Sequence, residues 1–416
     1  MLSIPRMKLW LAIGAGIMCM AVGNFCYADD AAVLPKGVSR MFLQTDFAIP
    51  WDKRFNSGGA PELYGQPFTG PLNSTLIPGL PPGASFGQSA VDVERSGYQL
   101  IFQPAYGVTD RLSIGLIIPV FAFYNNVNPH VNSGPGSGAT VGFNPAVPGG
   151  IAPLFVPGTT RATVQDINNL LGSRFGLKPV QSWEETGIGD IEAGGRYQYY
   201  RSEIVRASFT GGARFPTGKT DDQDNLADSA FGKGTYGLLA QFQTDFMHQT
   251  DGLGKRLGFP DPGEWFINTT ARYVYNLPMT QNLRVCPGGT PFCNTKDDVH
   301  SKIGDEFQLE ISGRLGMFIK GLNFTPLYMY GHKFKDHYSG DKGLDYGALN
   351  QQLDNTRGEA TQHILLLQLT YTTIPLFLEK QLPAPLVFSV QWRDRFAGSG
   401  GLPKNQLLGF TVQAFF

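Results

Sequence analysis

Along much of this chain apolar and polar residues alternate with a period of two, the pattern of a strand that has one face in an apolar medium and the other in water. Between Arg40 and Ile49, one face carries Met41, Leu43, Thr45, Phe47 and Ile49, and the other carries Arg40, Gln44 and Asp46. Residues 97–108 and 111–124 read as a hairpin about Thr109-Asp110-Arg111, with Leu112, Ile114, Leu116, Ile118 and Val120 on the apolar face. Residues 189–200 and 203–217 repeat the design about Arg201-Ser202-Glu203, where Ile191, Ala193, Tyr197 and Tyr199 oppose Asp190, Glu192, Arg196 and Gln198. Further strands are expected at 234–248, 263–277, 303–318, 321–335, 359–373, 384–397 and 405–416. In the last of these, Leu408, Phe410, Val412, Ala414 and Phe416 alternate with Gly409, Thr411, Gln413 and Phe415.

The segments number about twelve, and each is close to the ~10 residues of a tilted membrane strand. An even count is what a single-chain bacterial barrel needs. Connections after odd-numbered strands are mostly long and rich in Gly, Pro and Asn. Those after even-numbered strands are mostly tight, with 249–262 as the exception. Long outer loops and short periplasmic turns give that alternation. The expected fold is therefore all-β: a single transmembrane antiparallel β-barrel of about 12 strands with long outer loops, occupying residues 29–416.

Composition removes the rival of a helical membrane protein. Beyond residue 28 no apolar run approaches the ~20 residues of a spanning helix, yet the chain holds 52 Gly, 30 Phe and 16 Tyr. Aromatic belts at two membrane interfaces account for that excess. At the start, Arg6 and Lys8 precede an apolar run from Leu9 to Val22, and Ala28 follows Cys26-Tyr27. Residues 1–28 thus read as a cleaved secretory signal peptide, the run being short for an anchor. Neither Cys19 nor Cys26 stands in a lipoprotein cleavage context. Loss of this segment takes the formal net charge from −1 to −3, a balance that argues against a nucleic-acid partner. The remaining cysteines, Cys286 and Cys293, flank Pro-Gly-Gly in a polar stretch. In an oxidising compartment that spacing indicates a local disulfide, since no His or third Cys is near enough to make a metal site.

Most apparent catalytic motifs fail in context. Ala213 to Thr220 has the spacing of a phosphate loop, but no helix follows to present amides to a phosphate. The acidic run Asp221-Asp222-Gln223-Asp224, with Asn225 and Asp228, is read as a solvated strand-to-loop exit. A calcium loop is the alternative, but its turn-forming Gly and terminal Glu are missing. His248-Gln249-Thr250-Asp251-Gly252 is similar to the His and hydroxyl nucleophile of outer-membrane phospholipases, with Thr250 where Ser and Asp251 where Asn are expected. No orienting third group is identifiable. No cofactor, metal or catalytic residue is expected, and the chain is read as not an enzyme.

The inward faces carry the informative chemistry. Arg40, Arg196, Arg206, Arg214, Arg272, Arg314 and Arg393 interleave with Asp46, Glu192, Asp245, Glu306 and Glu310. Such rows either line a hydrated, selective pore or fill a narrow lumen with paired side chains, and twelve strands lie between packed and open barrels. Of the two longest loops, 50–95 and 126–186, the second holds Val164, Ile167 and Leu171 on one helical face. That helix is read as a constriction, with a cap on the mouth as the equal alternative.

At Gly187-Ile-Gly-Asp-Ile-Glu-Ala-Gly-Gly-Arg-Tyr197, Gly211-Gly-Ala-Arg-Phe-Pro-Thr-Gly-Lys219 and Asp221-Asp-Gln-Asp-Asn-Leu226 the chain resembles the outer-membrane transporters of the MetA-pathway of phenol degradation family. Leu34-Pro-Lys-Gly-Val38 and Tyr106-Gly-Val-Thr-Asp-Arg-Leu-Ser-Ile-Gly-Leu116 are similar too. The resemblance implies a barrel in the Gram-negative outer membrane that admits small apolar or aromatic compounds, and it carries over no site residues. Asn144-Pro145-Ala146 is similar to the hatch motif of long-chain fatty acid transporters. The ~10 residues before strand one, however, are too few for such a plug by chain reach.

Together these features favour facilitated diffusion of a small apolar or aromatic solute, with the inward charges setting selectivity and the 126–186 loop as gate. The expected partners are outer-membrane lipids and, through a terminal Phe416 like that of other barrels, the assembly machinery. A lipid hydrolase and a non-conducting structural barrel are the alternatives.

Overall fold

The computed structural model describes residues 31–248, 265–287, 292–317, 319 and 321–416; the expected signal segment 1–28 and the expected turn at 249–262 lie outside the described residues. Twelve strands close into one antiparallel barrel. They are β1 (Ser39–Trp51), β2 (Ser85–Thr109), β3 (Leu112–Asn132), β4 (Ile191–Arg201), β5 (Val205–Phe215) and β6 (Gly237–His248), followed by β7 (Trp265–Asn276), β8 (Glu306–Gly316), β9 (Leu322–Lys333), β10 (Ala360–Thr372), β11 (Leu386–Gly398) and β12 (Gln406–Phe415). Each pairs with its neighbours in sequence, and β12 returns to β1, with Thr45 opposite Phe410. Reciprocal 3.0 Å backbone hydrogen bonds between Ser39 and Phe416 finish the seam. Closure leaves no strand edge without a partner, which the hydrocarbon layer demands.

The two faces sort as the alternation requires. Met41, Leu43 and Phe47 are 44–48% exposed on the outside of β1, while Gln44 and Asp46 are 3% exposed on the inside. In β12, Leu408, Phe410 and Val412 face outward and Thr411 is buried. The outer apolar surface is the lipid face of an outer-membrane protein. Not all inward positions are polar: Leu327 and Met329 of β9 and Ile364 and Leu366 of β10 form a buried apolar patch.

The structure refines several sequence expectations. The β2–β3 hairpin begins at Ser85 and ends at Asn132 rather than at 97 and 124. Its 25-residue strand spans about 80 Å at ~3.3 Å per residue, far beyond a ~25 Å apolar band even when tilted. The extra length carries Val91, Val93, Val127 and Val131 in continued alternation, but as a platform for outer loops rather than as membrane strand. The connection after β11 spans only 399–405 and that at 373–385 holds a short helix, Ile374–Leu378, two exceptions to an alternation of long and tight connections that holds for most of the chain. The expected helix forms at α1 (Val164–Phe175), closed by a capping box between Thr163 and Asp166 and by Gly176 in the left-handed conformation. It does not enter the barrel. Ile167, Leu170, Leu171 and Phe175 pack with Leu72, Leu76, Ile77 and Leu80 of the 52–84 connection and with Phe86, so α1 caps the mouth. A further correction concerns the lumen.

Candidate functional site in the barrel lumen

All twelve charged residues expected inside lie on inward-facing positions of their strands, but they do not form one continuous row. Glu192 of β4, Arg214 of β5, Arg272 of β7 and Glu306 of β8 converge near the outer end. Arg214 donates to Glu192 (3.1 Å) and Glu306 (2.9 Å), and Arg272 holds both oxygens of Glu192 at 2.7 and 2.8 Å. Towards the periplasmic end, Asp245 stands opposite Arg206 in register and accepts a 2.8 Å bond from Asn268. Arg196 bonds Thr210. Asp46 is apart from both groups, held by Gln44 (2.6 Å) and Gln391 (3.0 Å) in the field of Arg393. Arg314 lies 4.2 Å from the Phe266 ring centre, Arg40 lies 6.0 Å from that of Phe42, and Glu310 accepts from Gln308.

Among the described residues two segments of chain occupy the lumen, and neither was expected there. Residues 31–36, judged too few for a plug, run up inside the periplasmic end. Ala31 is wholly buried, its amide bonded to both oxygens of Asp245 at 3.1 and 3.0 Å and its carbonyl accepting from Gln198 at 2.9 Å. Arg196 reaches the Ala32 carbonyl, the Leu34 amide donates to Ser113 (2.8 Å), and the Lys36 amide donates to Asp110 (3.1 Å). A plug needs only enough chain to reach inward-facing acceptors, not a folded domain. Gly107 is required here: a Cβ on it would lie 2.0 Å from the Pro35 carbonyl oxygen.

The second segment is the 216–236 connection, not 126–186. Phe231, 1% exposed, stacks on inward-facing Phe121 and Phe123 of β3 at 6.2 and 5.5 Å between ring centres. Trp183 lies at 6.4 Å. Gly187 passes beneath the Phe231 ring, where a Cβ would come within 2.7 Å. The Asp190 carboxylate accepts the amides of Gly218 (3.1 Å) and Lys233 (2.8 Å). The buried Lys233 ammonium bonds Glu306 and so joins the loop to the outer ion cluster.

The acidic run is therefore not a solvated exit. Asp222 pairs with Lys178 (2.6 Å), and Asp224 pairs with Arg284 (2.5 Å) and Lys296 (2.7 Å). Although partial burial works against ionisation, hydrogen bonds from Lys296 and Arg284 hold the Asp224 carboxyl below the usual range. Arg284 also donates to the Phe175 carbonyl at the end of α1 (2.7 Å) and to that of Cys293, whose disulfide to Cys286 spans 5.4 Å between Cα atoms. One acidic segment thus fastens three outer connections. Asp228, wholly buried, is the exception. Burial, reinforced by Asp221, pushes its carboxyl up to about 8. Among the described residues no group of three or more His, Cys, Asp or Glu is placed to hold a metal. Residues 249–252 of the His248 motif lie outside the described residues.

The motifs behind the family resemblance now acquire geometry. Leu34 to Val38 docks on Tyr106 to Asp110 at one end of the barrel. Gly187 to Asp190 docks on Gly218 and the residues just beyond it at the other. Asp190, Phe231 and Lys233 were missed as site residues because nothing in a Gly-rich loop marks which side chains turn inward; the one available signal was the position of Asp190 within a motif.

Closed topology, outward apolar belt and occupied polar lumen define an outer-membrane β-barrel. The comparison with solved structures agrees: a crystallised outer-membrane channel from Pseudomonas putida F1 matches over 94% of this chain and 99% of its own, with a TM-score of 0.51 at 11% identity. That likeness is one of fold. A FadL homologue from Pseudomonas aeruginosa (TM-score 0.34, 10% identity, 98% and 99% covered) and the toluene transporter TbuX of Ralstonia pickettii (0.33, 10%, 92% and 90%) resemble it more loosely. No family profile matches the chain, and no curated protein matches it.

Proposed function

We propose that this protein is a gated outer-membrane channel through which small apolar or aromatic compounds diffuse without energy coupling. The supporting observation is that the lumen is occupied by two docked segments, residues 31–36 and 216–236, rather than filled only by strand side chains. A docked segment can withdraw, whereas interdigitated barrel side chains cannot leave without unfolding the wall. The inward patch of Leu327, Met329, Ile364 and Leu366, and the rings of Phe121, Phe123 and Phe231, offer apolar solutes a path with no hydrogen-bonding demand. The motifs shared with the phenol-degradation transporters favour the same solute class, and the outer charged cluster would exclude unmatched ions.

The same occupancy supports a second reading, a non-conducting barrel sealed at both ends. Toluene uptake into liposomes carrying the refolded protein separates them. Uptake above that of empty liposomes, increased by excising residues 31–36, is the expected result. Equal rates in all three preparations would sink the channel reading.

A further inference from the structure

Arg95 lies on the inward side of β2 at the outer rim, opposite Asn125 of β3. It is 5% exposed, and its Nε has no hydrogen-bond partner. Its guanidinium sits 4.1 Å from the centre of the Tyr64 ring, and on the same ring, at 6.0 Å, sits Arg54, already engaged by Glu62. Among the described residues no carboxylate forms an ion pair with Arg95. Asp228 approaches from the 216–236 loop closely enough to influence it, but one of its oxygens takes the Asp222 amide (3.0 Å) and the other has no partner. Asp228 attracts the guanidinium from a distance and the Tyr64 side chain hydrogen-bonds it, in neither case as an ion-pair contact. Asn125 fixes the loop overhead by donating to the Ala227 carbonyl (2.7 Å) and to Ser229 (3.2 Å).

A buried guanidinium with an unpaired Nε and no carboxylate in ion-pair contact leaves a donor unsatisfied, and an anion is the partner that fits it. One step inward along the same two strands, Phe123 packs over Gly97 and begins the stack with Phe121 and Phe231. We infer that Arg95 and this aromatic stack form a binding subsite for a small aromatic carboxylic acid, the guanidinium taking the carboxylate and the phenyl rings taking the arene. The inference rests on the channel reading and narrows it to solutes with one charged end. A guanidinium matches a carboxylate in a two-pronged geometry that a neutral amide does not reproduce.

The test is calorimetric titration of the folded protein in detergent with benzoate and with its neutral isostere benzamide, for the unaltered protein and for Arg95→Gln and Arg95→Lys. Unaltered protein should bind benzoate about tenfold or more tighter than benzamide, the worth of a charge-assisted pair. Arg95→Gln should abolish that preference, and Arg95→Lys, which keeps the charge without the fork, should retain part of it. Equal affinities in the unaltered protein, or a preference that survives Arg95→Gln, overturn the subsite. If Arg95→Gln fails to fold, a full benzoate preference in Arg95→Lys overturns it instead, since a guanidinium-specific site must weaken. Toluene uptake into liposomes is read in parallel. Toluene uptake that persists while benzoate shows no preference leaves the channel standing without this subsite, whereas absence of toluene uptake removes the channel reading itself.

Discussion

The two segments inside the barrel are held by opposite means. The amino-terminal segment offers its backbone: Ala31, Ala32, Leu34 and Lys36 use amides and carbonyls to engage Asp245, Gln198, Arg196, Ser113 and Asp110, and the small or apolar side chains of Ala31 to Leu34 add little polarity. The 216–236 loop offers side chains: Lys233 to Glu306, Asp222 to Lys178, Asp224 to Arg284 and Lys296. A backbone-held plug depends on the wall and is indifferent to its own sequence. A charge-held plug depends on both partners and on their ionisation, so the outer segment is the one that solution conditions can move.

The contrast can be broken in graded ways. Excising residues 31–36 should have the largest effect, a several-fold rise in single-channel conductance in planar bilayers as the periplasmic constriction is removed; unchanged conductance would mean that the passage is closed elsewhere. Next, Glu306→Gln removes the counter-charge of the buried Lys233 while Arg214 keeps Glu192, a cost of about 3–5 kcal/mol. Faster proteolysis within 216–236, with little change in conductance at the inner constriction, is expected, and a loop no easier to cleave would contradict charge-held docking. The outer loop should also respond to pH. The docked state keeps a proton on Asp228 up to about 8, whereas a solvated carboxyl releases it near 3.8, so between those values raising pH favours undocking, and docking is fully relieved of this penalty only below both. Asp228→Asn should flatten that dependence in a pH series of loop proteolysis, and an equally steep profile in the variant would remove Asp228 as its source. The smallest effect is reserved for Ala32→Ser, expected to alter stability by less than about 0.5 kcal/mol and to leave conductance as it was. A large change there would show that the amino-terminal side chains matter after all.

Period-two alternation made the barrel legible because membrane strands are sorted face by face, and all twelve were placed from residues such as Met41, Leu43 and Phe47 against Gln44 and Asp46. The inward direction of Glu192, Arg214, Arg272 and Glu306 was legible for the same reason. Their grouping was not, since proximity across a lumen depends on which strands face each other and not on spacing along any one. The plugs were hidden for two different reasons. Ala31 and Ala32 carry no chemical signal, their function residing in the backbone, and Lys233 and Asp228 look like ordinary loop charges until the loop is known to turn inward. Helix α1 was legible as a helix through Val164, Ile167 and Leu171, but its partner, the 52–84 connection with Leu72, Leu76 and Ile77, has no period to announce it.

The seam between β1 and β12 joins opposite ends of the chain, so no earlier pairing can close the cylinder. Contacts of such sequence separation form slowly and late. Because residues 31–36 immediately precede β1, the same seam that closes the cylinder also anchors one end of the inner segment at the periplasmic mouth. The stopper is thereby tethered to the last joint of the barrel, so it can swing out and return without ever leaving the entrance.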